Sequence, residues 1–104
     1  MAADVIPFPD PSPEQVLERM REIGLGNGNL WVSAQPRRQL AQRRTSWPQI
    51  TEVLRLGYAA SGPWQDLLGD WACQFVGRAV GRNVEMDVMM PRGGRRLVIL
   101  AVRV

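Results

Sequence analysis

The chain has no histidine and no lysine, and these two absences restrict the chemistry that it can perform. Without histidine, a Ser-His-Asp or Cys-His relay and a pair of catalytic histidines are excluded. The single cysteine, Cys73, excludes an internal disulfide and, with scattered carboxylates, gives no zinc-binding set. The sequence therefore predicts no metal and no cofactor, and any enzymatic activity would have to rely on arginine and polar side chains.

Long apolar runs are missing as well. No run approaches the ~20 residues that a membrane span needs, and the N-terminus has no charged segment followed by an apolar one. We therefore expect a cytoplasmic protein without a membrane partner. A length of 104 residues and a hydrophobic fraction of 45% suit one small globular domain.

All thirteen basic residues are arginine, and they are unevenly distributed. Residues 1–36 carry two arginines and five carboxylates, a net charge of −3, whereas residues 37–104 carry eleven arginines and five carboxylates, a net charge of +6. The guanidinium group is planar, permanently charged and suited to bidentate contacts with phosphate. This distribution favours nucleic acid, RNA above all, as a partner. Biased codon usage and ordinary surface solvation are the alternative explanation.

Capping residues and apolar spacing predict an α+β domain over residues 12–104, preceded by an extended arm over residues 1–11. Ser12 begins a helix that ends at Gly24, and a short strand starts at Leu30. Two further helices begin at Pro36 and at Ser46, and Gly57 ends the second.

The last third of the chain predicts a three-stranded antiparallel meander, formed by residues 70–79, 82–90 and 95–104. Helices are expected on one face of this sheet. The apolar last strand is expected to be central, between residues 82–90 and the strand at Leu30, which leaves residues 70–79 as an exposed edge. Residues 59–69 are rich in turn formers and predict an exposed loop around Trp64.

Several short motifs follow one another along most of the chain. They are Gly28-Asn29, Val32-Ser33, Arg43, Val53-Leu54-Arg55-Leu56-Gly57, Gly69-Asp70-Trp71-Ala72-Cys73 and Leu97-Val98-Ile99-Leu100-Ala101-Val102. In this order they resemble a bacterial family of domains of unknown function that is grouped with the RelE, HigB, BrnT and MqsR toxins. The resemblance implies a RelE-like fold and a toxin that acts on RNA, with a cognate antitoxin as its protein partner.

The chain departs from the family pattern where the resemblance places the active site. The family's histidine falls at Gln35 and the first arginine of the following helix at Gln39, whereas Arg43 is retained. Glutamine can hold a phosphate or a base edge, but it cannot transfer a proton near neutral pH. Two functions that involve RNA remain: a weak, arginine-driven endoribonuclease, or a degenerate copy that binds RNA without cleaving it. A third, of another class, is a non-catalytic module that binds an antitoxin, a phage protein or a host factor.

The candidate catalytic residues are Gln35 and three arginines, Arg43, Arg78 and Arg82. Arg43 stands at the family motif, and the other two arginines flank a hairpin on strands that toxins of this fold use for RNA. Together they could stabilise the charge that builds on a phosphorane-like transition state. Arg78 and Arg82 could equally serve only as solubilising charges at the end of a hairpin.

Four more residues are candidates for nucleic-acid binding: Arg37, Arg38, Arg96 and Trp64. The first two would extend the basic face beside Arg43. Arg96 belongs to an arginine-rich turn, which could also protect the edge of the sheet. Trp64 could stack on a base or cover the end of the sheet.

Overall fold

Three helices and one short strand form the first half of the chain, and strands alone follow. The protein is represented by a computed structural model that describes residues 11–26 and 29–104. The helices of these residues are α1 (Pro13–Gly26), α2 (Ala34–Ala41) and α3 (Trp47–Leu56). The strands are β1 (Leu30–Val32), β2 (Tyr58–Gln65), β3 (Trp71–Ala79), β4 (Arg82–Met90) and β5 (Leu97–Arg103). The arm expected at residues 1–11 lies outside the described residues, except for Pro11.

Both predicted serine caps are confirmed by reciprocal hydrogen bonds. The Ser12 hydroxyl accepts from the backbone N–H of Gln15, whose side chain accepts from the backbone N–H of Ser12. Ser46 and Gln49 form the same capping box at the start of α3. Such caps satisfy N–H groups that have no partner within the helix.

The sheet is five-stranded and mixed, with the order β1-β5-β4-β3-β2. β1 runs parallel to β5, and every other neighbouring pair is antiparallel. The α+β class is therefore confirmed, but the three-stranded antiparallel meander is wrong, because β1 and β2 extend it at its two ends. The central place expected for the last strand is confirmed.

The strand β2 is the element that the sequence did not reveal. Its turn-forming residues, Ser61, Gly62 and Pro63, lie in an irregular edge strand whose register with β3 shifts on both sides of Ser61. Proline lacks an N–H and is tolerated at an edge, and Gly62 has φ +88°, a left-handed conformation that suits glycine. Because β2 pairs with β3, the expectation that residues 70–79 form an exposed edge is wrong.

One face of the sheet carries the helices and the core. Side chains from alternate strand positions, among them Phe75, Met86 and Ile99, are fully buried with Val16 and Leu54 of the helices. The intervening positions of β3 and β4 face the other way and are half-buried or exposed. We call this second side of the sheet the open face. None of the described helices is long and apolar enough to cross a membrane.

Candidate functional site

An apolar row crosses all five strands on the open face. Strand register places its members side by side in the order Trp64, Ala72, Met89, Val98 and Trp31. The two indoles at the ends are half exposed, 50% for Trp64 and 54% for Trp31, and the three residues between them are half-buried. Four strand spacings separate the indoles, which is about 19 Å. The row thus has an apolar middle with an aromatic ring at each end.

Arg96 lies against one end of this row. Its guanidinium carbon is 5.5 Å from the centroid of the Trp31 ring, within the range of a cation–π contact. Arg96 belongs to the turn between β4 and β5, which also carries Arg92 and Arg95. The apolar row therefore borders a basic turn, and of the four residues predicted to bind nucleic acid it includes Trp64 and contacts Arg96.

An ion-pair cluster occupies the opposite part of the open face. The guanidinium of Arg103 donates to both carboxylate oxygens of Asp87 at 2.9 Å and to Glu85 at 3.1 Å. These hydrogen bonds lower the pKa of Asp87 and raise that of Arg103. The two carboxylates are thus held by an arginine, two or more residues away along the strands from the apolar row.

Gln35 is held by the sheet. Its side-chain Nε2 donates to the carbonyl of Val102, and its Oε1 accepts from the N–H of the same residue, both at 2.9 Å. β1 ends at Val32, so this amide continues the hydrogen bonding along β5 beyond the end of its neighbour. The position that the resemblance assigns to a histidine is used here to attach α2 to β5.

Arg43 ends α2 in an unusual backbone conformation. The N–H of Arg44 donates to the carbonyl of Gln39 and that of Arg43 to Leu40, which is the Schellman pattern of a helix C-terminus. Arg43 occupies the left-handed position of this motif at φ +59°, where glycine is preferred. Its exposed side chain lies in the connection between α2 and α3.

Arg78 and Arg82 lie at the end of the β3–β4 hairpin, on opposite sides of it. Arg78 is opposite Asn83 and faces the open side, whereas Arg82 is opposite Ala79, which is buried on the helical side. Arg78 donates to the Asn83 side chain and to the Gly81 carbonyl, both at 3.2 Å. Within residues 11–26 and 29–104, no hydrogen bond joins any of the four candidate catalytic side chains to another.

The two arginines of α2 differ in their contacts. Arg37 donates to the carbonyl of Val32 at 3.2 Å, and Arg38 is exposed in the last turn of the helix. Cys73 is buried, and burial raises the pKa of its thiol to about 11. Among the described residues there is no group of three or more cysteine or carboxylate side chains that could hold a metal ion.

Sequence reasoning missed Trp31 and Tyr58 as surface residues of one face. Tyr58 is 62% exposed and lies opposite Val76 on the open face. Trp31 stands in a strand that the sequence predicts, whereas Tyr58 stands in β2, which it does not reveal. Their shared face depends on the pairing of β1 and β2 with the rest of the sheet. No family model, no curated protein and no solved structure matches this chain.

Proposed function

We propose that the protein binds single-stranded RNA on the open face of its sheet and does not cleave it. The observation that carries this proposal is the apolar row with Trp64 and Trp31 at its ends and Arg96 stacked on Trp31. Unpaired bases stack on exposed aromatic rings and arginine planes, and a sheet surface is a common platform for this contact. A span of about 19 Å accommodates a few nucleotides of extended chain.

Charge supports the same surface. The half of the chain that forms most of the sheet carries a net charge of +6. The two carboxylates of the open face are neutralised in part by Arg103, and the arginine-rich turn lies beside the row. Phosphates of a bound strand would therefore be drawn to the Arg96 end of the face.

Binding without cleavage follows from the placement of the candidate catalytic residues. Gln35 has both polar atoms of its amide engaged by Val102, and Arg78 and Arg82 face opposite sides of a hairpin. RNA cleavage needs a positioned group that transfers protons, and the chain has no histidine. Such a protein would be a degenerate copy of a RelE-type toxin, which is one of the functions that the sequence resemblance leaves open, and this relationship is part of the proposal.

The test is fluorescence anisotropy with a labelled single-stranded RNA and the corresponding duplex at several salt concentrations. We expect tighter binding of the single strand, with a logarithmic salt slope of roughly 0.7 per neutralised phosphate. The substitutions Trp31→Ala and Trp64→Ala should each weaken binding by about tenfold, because stacking contributes ~1–3 kcal/mol per base. Leu56→Ala, at an exposed leucine on α3, is the matched control. Absence of binding at low salt, or an RNA affinity that neither tryptophan substitution changes, would refute the proposal.

A second candidate, a protein-interaction module, is supported by the loop between β2 and β3. Leu67 and Leu68 are 105% and 76% exposed at its tip. Hydrogen bonds hold the loop in shape, because the Asp66 carboxylate accepts from the N–H groups of Leu68 and Asp70. A hydrogen-bonded loop that presents two exposed leucines suits insertion into an apolar pocket of a partner.

The partner to test is the product of the reading frame next to this gene, where an antitoxin is expected. The two proteins would be co-expressed and separated by gel filtration with light scattering. We expect a complex that the double substitution Leu67→Ser with Leu68→Ser abolishes and that Leu56→Ser leaves intact. Failure to form a complex, or a complex that survives the double substitution, would remove this candidate.

A further inference from the structure

The connection between α2 and α3 forms a depression on the helical side of the sheet. Its volume is about 540 Å³, within the roughly 300–1,000 Å³ typical of small-molecule sites. The lining residues are Leu40, Arg43, Thr45, Ser46, Trp47, Pro48 and Gln49. The floor is mainly apolar, and a few polar groups converge on it, so the depression has the composition of a ligand site.

Gln49 gives this depression an unfilled hydrogen-bond donor. The side chain is nearly buried, at 7% exposure, and its Oε1 accepts from the backbone N–H of Ser46 at 3.0 Å. A backbone N–H can only donate, so the capping box fixes the orientation of the amide and turns Nε2 away from Ser46. Within the described part of the chain, Nε2 donates no hydrogen bond.

Trp47 and Arg43 provide an aromatic surface and a positive charge at the same place. Trp47 is 45% exposed at the start of α3. Arg43 is exposed beside it and keeps a left-handed backbone at φ +59° that a glycine would adopt more readily. Two helix-capping motifs, one at each end of the connection, thus set the positions of the arginine and the glutamine.

We propose that this depression binds one nucleotide, with its base stacked on Trp47 and its phosphate held by Arg43. The Gln49 Nε2 group would donate to an acceptor on the edge of the base. The guanidinium of Arg43 suits a charged phosphate better than a neutral ligand. The indole of Trp47 suits a flat ring better than an aliphatic one. This site is separate from the open face, and it does not depend on the function proposed there.

The chemistry is shared by a free mononucleotide and by the phosphorylated 5′ end of an RNA chain. The experiment therefore titrates the full-length protein with adenosine, guanosine, cytidine and uridine monophosphates, with a short 5′-phosphorylated RNA, and with inorganic phosphate, by calorimetry. We expect at least one nucleotide, free or at the RNA end, to bind, and inorganic phosphate to bind at least about tenfold more weakly, since a lost stacking contact is worth ~1–3 kcal/mol.

Three substitutions separate binding from folding. Trp47→Ala removes the stacking surface. Gln49→Glu keeps an acceptor for the Ser46 N–H but removes the donor, and Arg43→Gly removes the phosphate contact while relieving the left-handed backbone. We expect each to weaken nucleotide binding by about tenfold or more, and Arg43→Gly to raise the urea concentration at the unfolding midpoint.

The variant Leu56→Ala, at an exposed leucine of α3 that does not line the depression, is the control and should leave mononucleotide binding unchanged. An Arg43→Gly variant that is more stable than the parent protein and binds the nucleotide less well would show that Arg43 serves a ligand rather than the fold. Equal binding of phosphate and nucleotide, or nucleotide binding that survives both Trp47→Ala and Arg43→Gly, would overturn this site. A loss of RNA binding that only the substitutions of Trp31 and Trp64 cause would concern the open face and not this depression.

Discussion

The side-chain amide of Gln35 pairs with the backbone of Val102, 67 positions later in the chain, through one donated and one accepted hydrogen bond of 2.9 Å. A planar amide reproduces the donor and acceptor of a neighbouring strand, so it completes β5 where β1 has ended. This contact and the 3.0 Å bond from the Ser33 N–H to Ile99 attach the start of α2 to the centre of the sheet.

Removal of this amide should destabilise the fold. We expect Gln35→Ala to lower the free energy of unfolding by about 2 kcal/mol, because two backbone groups of a buried strand lose their partners. Gln35→Glu should cost nearly as much, since a carboxylate can accept from the Val102 N–H but cannot donate to its carbonyl. Urea denaturation of both variants, with Gln42→Ala as an exposed control, measures the effect. An unchanged midpoint for Gln35→Ala would contradict the role assigned to this residue.

Gly57 should tolerate no larger residue, for reasons of space alone. Its φ of −74° is available to any residue. However, an added Cβ would lie 2.5 Å from the carbonyl oxygen of Val53 and 2.6 Å from that of Val76. Both contacts are with backbone, which cannot move away without separating α3 from β3. We expect Gly57→Ala to cost about 3 kcal/mol.

Gly26→Ala is the matched control, because an added Cβ at that position has no neighbour within 4 Å. It ends a helix, where alanine is a better helix former than glycine. We expect its stability to equal or slightly exceed that of the parent protein. Thermal and urea unfolding of both variants decide the matter, and a Gly57→Ala protein as stable as the Gly26→Ala protein would show that α3 and β3 are not in contact here.

Local signals in the sequence were sufficient for the caps and for four of the five strands. The serine caps and the strands β1, β3, β4 and β5 depend on neighbouring residues and on alternation, both of which can be read along the chain. The strand β2 was missed because Gly62 and Pro63 are turn formers that an irregular edge strand accommodates. Nothing local reveals that Trp64 and Trp31 end one row, since their alignment requires the register of four strand pairs.

The candidate site also divides into features that local signals indicate and features that only three-dimensional pairing shows. Arg96 and Trp64, both predicted to bind nucleic acid, lie at the two ends of the apolar row, and their roles in binding stay predictions. Gln35 was interpreted as a lost catalytic group because a resemblance assigns chemistry to a position without its contacts. Its hydrogen bonds to Val102 could be inferred only from three-dimensional pairing.

Acid should weaken the protein through the cluster of Arg103 with Asp87 and Glu85. The hydrogen bond from Arg103 lowers the pKa of Asp87 below its ordinary 3.8, so the pair stabilises the fold fully above that pH. The stabilisation is lost as the pH falls through the lower, folded-state pKa. The Arg103→Gln variant should be less stable than the parent at neutral pH, and the difference should shrink below pH 3.8. The side chains are more than two-fifths exposed, so the effect is small and decreases with salt. A difference that is constant from neutral to acidic pH would argue against this ion pair.

Alkaline conditions should weaken the protein through Cys73. Burial raises the pKa of this thiol from 9.0 to about 11, since the apolar core disfavours the thiolate. The unfolded chain therefore releases the thiol proton at lower pH than the folded chain does. Stability is complete below pH 9.0 and declines as the pH rises towards about 11, by at most ~2–3 kcal/mol. Unfolding by urea at several pH values, compared with Cys73→Ala, isolates this contribution, because the variant has no thiol to ionise and should lose less stability over the same interval.

The burial of Cys73 also predicts that a thiol reagent labels the native protein only through unfolding, so that the less stable Gly57→Ala protein is labelled faster than the parent. Rapid labelling of the native protein at a rate that Gly57→Ala does not change would show that Cys73 is reached from the surface.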